Sequence, residues 1–180
     1  MSLVVSGAVL AASGALAIPA TAAQPAGRQV WTKQFGTVLD DTVTALAATP
    51  RGSYATGNTM GDLTGPGKGG TDAFVVHYDP TGLLKWKRQF GTPQTDEAIA
   101  IATSSAGNTY VVGRTNGTLT GTNPSDDFDA FVVKYDKDGR RVWTRQFGTT
   151  GTDEALGVGV SASGDVYVAG TTTGVLNPEP

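Results

Sequence analysis

The side chains able to do chemistry are few. His77 is the only histidine and cysteine is absent, so thiolate nucleophiles, disulfides and the common zinc sets cannot be assembled within one chain. His77 stands in "DAFVVHYD" where Lys134 stands in the near-copy "DAFVVKYD". A position that accepts Lys is expected to face solvent, which makes His77 a surface strand residue rather than a general base. The Gly-rich "TGPGKGGTD", Thr64 to Asp72, lacks the order G-x-x-x-x-G-K-S/T and reads as a loop, not a phosphate cradle. "DKDG" from Asp136 resembles the start of a calcium loop, but a third acidic ligand and a distal Glu are missing, and "DPTG" from Asp79 has no second Asp. Calcium stays a minor rival there, as it does at the acidic "SDDFD", Ser125 to Asp129, which reads as a solvated loop. No cofactor and no catalytic residue is expected.

The charges that recur are more informative than those that do not. Lys33, Arg88 and Arg145 lie between Trp and Phe in Trp31-Phe35, Trp86-Phe90 and Trp143-Phe147, and eight residues later come Asp41, Asp96 and Asp153. The spacing predicts an Arg/Lys to Asp contact once per unit, with the cation also stacked on the aromatic rings. Its role would be structural, since a periodic charge usually serves the period. The functional alternative is a ring of these charges lining a central channel and binding a ligand.

The elements behind that period are short strands. Phe35, Phe90 and Phe147 are 55 and 57 residues apart, the length of a structural repeat. The second unit parses into "LKWKRQFG", "EAIAIATS", "NTYVVGRT" and "DAFVVKYD", four strands between turn residues. In the third strand Tyr54, Tyr110 and Tyr167 align, followed in register by Gly57, Gly113 and Gly170. Strict alternation would put Ala98, Ala100 and Ala102 on one face and Ile99 and Ile101 on the other, so both faces are apolar and both are covered. Sheets stacked face to face around an axis cover both faces, which argues for an all-β fold of propeller-type, four-stranded antiparallel blades. The turns "YDPTGLLKW" and "YDKDGRRVW" set Asp79 and Asp136 three residues before Gly82 and Gly139, a hairpin pattern.

The pattern D-A-F-V-x-K-Y-D-x-x-G-x-x-x-W-x-x-Q-F-G-T, then D-E-A, then G-x-x-Y-V-x-G-x-T, resembles the bacterial SBBP β-propeller repeat family. Asp129–Thr149, Asp153–Ala155 and Gly164–Thr171 carry it, as do Asp72–Thr92, Asp96–Ala98 and Gly107–Thr115. The first unit departs from it, with "DDTV" for D-E-A. The resemblance implies the fold and an exported setting, and brings no agreed chemistry. The D-x-x-G-x-x-x-W element also resembles propellers that bind pyrroloquinoline quinone, so a fragment of a quinoprotein-like enzyme is the alternative to a non-catalytic scaffold.

Residues 1–23 read as a signal peptide: an uncharged apolar stretch, a break at Pro19 and small residues ending at Ala23, though without a basic n-region. Residues 24–29 are a linker, and the repeats occupy 30–84, 85–141 and, incomplete, 142–180. The expectation is a secreted, periplasmic or cell-surface protein with no membrane insertion after cleavage. A net charge of −3 offers no basic field for nucleic acid. Two full units and three further strands make an open arc of nearly three blades, short of the about four a closed propeller needs. The segment before Val30 is too short and polar to add a strand. Self-association through the terminal blades, "DVYVAG" at Asp165–Gly170 among them, and a protein or glycan partner for the variable loops complete the expectations. Trp86, flanked on both sides, is expected to be the most protected of the three tryptophans.

Overall fold

β-branched and aromatic side chains bounded by Asp, Gly and Thr dictate short strands, and only strands and turns are found among the described residues. The computed structural model describes residues 3–7, 30–121 and 127–175. Its strands are β1 (Leu3–Gly7), β2 (Trp31–Phe35), β3 (Asp41–Thr49), β4 (Gly52–Thr59), β5 (Asp72–Tyr78) and β6 (Leu84–Phe90). They continue as β7 (Asp96–Thr103), β8 (Thr109–Thr115), β9 (Asp129–Tyr135), β10 (Arg141–Phe147), β11 (Asp153–Val160) and β12 (Val166–Thr172). β3-β4-β5-β6 and β7-β8-β9-β10 form two four-stranded antiparallel sheets, and β11-β12 and β1-β2 form two-stranded ones. The fold is all-β, with open antiparallel sheets of an incomplete propeller type.

Sequence repeat and sheet are out of phase by one strand. β6 opens the second sequence unit yet pairs with β5, and β10 opens the third yet pairs with β9. The reason is the connection. A tight turn folds each D-A-F-V-V strand back onto the W-x-x-Q-F strand that follows, whereas the next link, Gly91 to Thr95, crosses to the neighbouring sheet. Each unit therefore straddles two sheets. At the chain's two ends this leaves β2 and the β11-β12 pair as partial sheets. The expectation that nothing before Val30 adds a strand is corrected: the apolar β1 pairs with β2, Leu3 opposite Phe35 as Ala73 stands opposite Phe90. It adds at the opposite end from the strand missing beside β12.

The alternation expected across Ala98–Ala102 is also corrected. Register shifts between Val43 and Ala45, Ala98 and Ala100, and Ala155 and Gly157 mark a β-bulge in β3, β7 and β11. The extra residue turns the following side chains over. Ala98 consequently packs with Ile101 toward the first sheet, and Ala100 packs toward the third. Both faces are covered, as expected, by a different route.

Three apolar layers hold the sheets together. Phe74 and Val76 face β2, while Val75 on the opposite face of β5 meets Phe131, Val133 and Tyr135 of the second sheet. Val132 and Ala130 then face Ala155 of the third. Nearly full burial of Val75, Val76, Val111, Val112 and Val133 places the core in the central strands of the two complete sheets. Each such side chain contributes roughly 1.5–3 kcal/mol relative to an exposed one.

Candidate functional site

The recurring Asp residues begin strands, and their partners are turn groups. Asp96 Oδ2 accepts from the Thr92 amide at 2.5 Å and the Thr92 hydroxyl at 2.8 Å. Asp41 does the same with Thr37, and Asp153 with Thr149. A second carboxylate joins the Asp96 and Asp153 junctions: Asp72 Oδ2 accepts from Gln89 Nε2 and Asp129 Oδ2 from Gln146 Nε2, both at 2.8 Å. Gly91 is wedged between Asp72 and Asp96, and Gly148 between Asp129 and Asp153, so that any Cβ would run into carboxylate oxygens. That is the physical reason for the Gly in Q-F-G-T. Burial raises the pKa of Asp96, against the pull of its Thr hydrogen bonds, and burial does the same to Asp129.

The expected Arg/Lys to Asp pair does not form. Arg88 sends Nε to the Gly139 carbonyl at 2.7 Å and Nη1 to the Lys87 carbonyl at 2.7 Å. It points toward the β9-β10 turn, whereas Asp96 stands at the opposite end of the sheet, beside Thr115. The stacking half of the expectation holds for Arg88, whose guanidinium carbon lies 6.0 Å from the Trp86 ring centre. Lys33 and Arg145, in the partial outer sheets' neighbourhood, are exposed. The repeated tryptophans are packing residues. Trp86 is 6% exposed, stacks on Tyr135 at 6.0 Å, donates Nε1 to the Lys137 carbonyl and covers Gly139. Trp31 covers Gly82 and tilts against Tyr78 in the same way, and both Trp31 and Trp143 are half-buried. D-x-x-G-x-x-x-W is thus a sheet-to-sheet joint: Gly82 and Gly139, at φ +82° and +74°, supply the turn and the flat floor under a ring from the preceding sheet. The Asp closes the turn, Asp79 Oδ1 accepting from Thr81 and Leu83 and Asp136 Oδ1 from Asp138 and Arg140.

His77 is corrected from surface to interior. It is 6% exposed, stacks parallel on Tyr54 at 4.0 Å and meets Trp86 edge-on, with Nε2 3.2 Å from the Arg51 carbonyl. Burial lowers its pKa. Lys134 takes the equivalent place over Tyr110, 5.4 Å from the ring, so the position selects a group that lies flat on or above the repeat tyrosine, not solvent. Of "SDDFD", Ser125 and Asp126 lie outside the described residues. Among the described residues no group of three His, Asp or Glu could hold a metal ion.

A different set of charges lies between the first strands of the three sheets. Arg114 pairs with Glu97 through Nε at 2.6 Å and, across to the third sheet, with Glu154 through Nη1. Its guanidinium covers the Phe128 ring at 4.4 Å. Asn58 Oδ1 accepts from the Ala98 amide and Thr44 Oγ1 donates to the Ala98 carbonyl, tying the first sheet to the second. These residues and Ile99 line a cleft of about 500 Å³. Burial alone would lower the Arg114 pKa, but the two glutamates outweigh it and raise it. With a fixed cation and two exposed-edged carboxylates the cleft can hold a charged or polar group by ion pairing.

The β-propeller repeat family SBBP matches residues 85–119 and 142–177, which span β6–β8 and β10–β12. Two stretches of this chain are thus similar to SBBP β-propeller repeats. The chain is also similar to the regulatory protein FlaEY of Caulobacter vibrioides, 29% identical over 118 residues, 61% of this chain and 12% of that protein. An uncharacterized WD repeat-containing protein of Acanthamoeba polyphaga mimivirus is 28% identical over 114 residues, 57% of this chain and 8% of that protein. The chain thus spans about a tenth of the length of these relatives. They carry the names of regulatory or uncharacterized repeat proteins.

Within the SBBP frame the junction Asp recurs in every unit, the cleft glutamates in two, and Arg114 in none. Asp41, Asp96 and Asp153 are the same residue three times, whereas the positions that follow them are Thr42, Glu97 and Glu154, and the positions of Asn58 and Arg114 are matched by Thr171. Sequence reasoning passed over Arg114 because it looked for charge that repeats. The usable signal was its departure from an otherwise periodic strand.

Proposed function

We propose that this chain is a non-catalytic SBBP-repeat module for binding and assembly, working outside the cytoplasm. One observation carries the reading: the recurring Asp and Gln side chains are taken up in joining sheet to sheet, and Arg114, which does not recur, lines the cleft between the first strands together with Glu97 and Glu154 of the two D-E-A motifs. The long loops after β4 and β8 vary in the same manner and offer a second contact surface for a protein or glycan. The names of the two relatives agree with a role that is not enzymatic, and reconstitution with quinone and calcium is expected to give no absorbing complex. Screening the purified chain against glycans, peptides and cell-wall material tests the reading. Arg114→Met should weaken whatever binds in the cleft and leave the fold intact; binding indifferent to the cleft and to both loops would contradict it.

Export rests on residues 1–23. Cleavage near Ala22 or Ala23 removes β1 and leaves β2 without its neighbour, so the processed chain has unpaired strand edges at both ends and self-associates through them. Intact mass of the protein from a secreting host is expected to begin at Ala23 or Gln24; retention of Met1 in the exported fraction would refute cleavage.

A further inference from the structure

β12 has the sequence and place of β4 and β8, but among the described residues no strand pairs with its outer edge as β5 and β9 pair with theirs. The lack is specific. In the two complete sheets the Phe of D-A-F-V-V drops between sheets and meets an aromatic ring edge-on, Phe74 against Phe35 and Phe131 against Phe90, both at 5.7 Å. The third member of that series, Phe147, is 48% exposed. It borders a cavity of about 310 Å³ together with Ala130 and Ala155. These three are the counterparts, one repeat on, of Phe90, Ala73 and Ala98, which pack with Phe131 in the core. Val168 and Gly170 of β12 form the cavity's other wall, and Gly57 and Gly113, the counterparts of Gly170, stand opposite Phe74 and Phe131. Trp143 repeats the pattern. Trp31 and Trp86 each lie on a Tyr and a turn Gly of the following sheet, and among the described residues Trp143 meets Tyr110 of its own sheet.

We propose that the β12 edge is a docking site for a β-hairpin of the same repeat type, carrying D-A-F-V-V-x-Y-D-x-x-G-x-x-x-W on another polypeptide segment. The register follows from the two complete sheets. Thr59 faces Asp72 and Thr115 faces Asp129, so Thr172 takes the incoming Asp; Gly170 takes the Phe and Val166 the Tyr. The incoming Phe fills the 310 Å³ cavity against Phe147, and the incoming Tyr and turn Gly cover Trp143. Main-chain bonds to β12 supply affinity, and the Phe and Tyr anchors supply choice of partner, the division of labour in strand addition. This deepens the assembly reading above and rests on it.

A fluorescein-labelled synthetic peptide of residues 129–148, which holds the pattern in this chain's own form, tests the site by anisotropy against the full chain. Saturable binding is expected, weakened at least about tenfold when the peptide carries Phe131→Ala and Tyr135→Ala. Val168→Lys in the chain changes a partly exposed side chain of the cavity wall and is expected to abolish binding while thermal unfolding stays as in the wild type. Hydrogen exchange should show Val166–Thr172 gaining protection with the peptide. Absence of saturable binding, or equal binding of the doubly substituted peptide, would overturn the proposal. Concentration-dependent light scattering of the chain without peptide reads self-association separately: association with no peptide binding would sink this site and leave the assembly reading standing.

Discussion

Single residues carry the joints between sheets, and their chemistry can be tested one at a time. Gly139→Ala would put a Cβ into the Trp86 ring at a φ of +74°, combining left-handed strain with a clash. A loss of about 2 kcal/mol or more in urea unfolding is expected. Trp86→Ala should cost on the order of 3–5 kcal/mol, and iodide should quench Trp86 least of the three tryptophans. The pH dependence has two opposed sources. The folded pKa of His77 is lowered below 6.5, so the unfolded chain takes up that proton first, and this contribution is present above pH 6.5 and lost as pH falls below it. Asp96 and Asp129 have folded pKa values raised above 3.8, so the native state takes up protons first and gains stability as pH falls toward 3.8. His77→Phe removes the first source and keeps the stack on Tyr54. Its advantage over the wild type in thermal unfolding should widen as pH is lowered from 7 to 5, and a constant difference would contradict the assignment.

At the scale of strands, the repeat, its four strands, the Asp-to-Gly turns and the buried Trp were legible because each depends on residues close in sequence. The Tyr54, Tyr110 and Tyr167 series and the Gly that follows it marked the third strand of every unit without any knowledge of the others. What was not legible depends on where a strand goes next. Nothing local to "LKWKRQFG" says that β6 closes the preceding sheet, since the tight turn before it and the crossing after it are both Gly- and Thr-rich. The bulge at Ile99 is equally silent, because "EAIAIA" satisfies two-residue alternation as written and only the pairing of Ala98 with Gly113 and Ala100 with Val112 reveals the extra residue. His77 was misplaced for a related reason: Lys in the sister strand suggested solvent, when it too lies over a tyrosine. The cross-sheet link through Arg114 is expected to be modest, since its side chain and those of Glu97 and Glu154 keep 23–31% exposure. Arg114→Met should cost no more than about 1 kcal/mol in unfolding, and a larger loss would make it a structural pin instead of a cleft residue.

For the whole molecule, the arrangement is a short stack of interlocked sheets that grows in units straddling two sheets, with the outer edge of β12 unpaired among the described residues. Repeat arrays of this kind draw stability from each unit and from the interfaces between neighbours, so the ends are weaker than the middle. The chain is expected to associate at high concentration, with light scattering rising above the mass of 18.4 kDa. Residue-resolved hydrogen exchange, run at low and then at high protein concentration, tests the open arc most directly. At low concentration the amides of β8 and β9 should exchange slowest, and those of β12 many times faster, with β12 slowing as concentration rises. Protection of β12 equal to that of β8 at every concentration would mean that the chain covers its own end, and the open arc would be wrong.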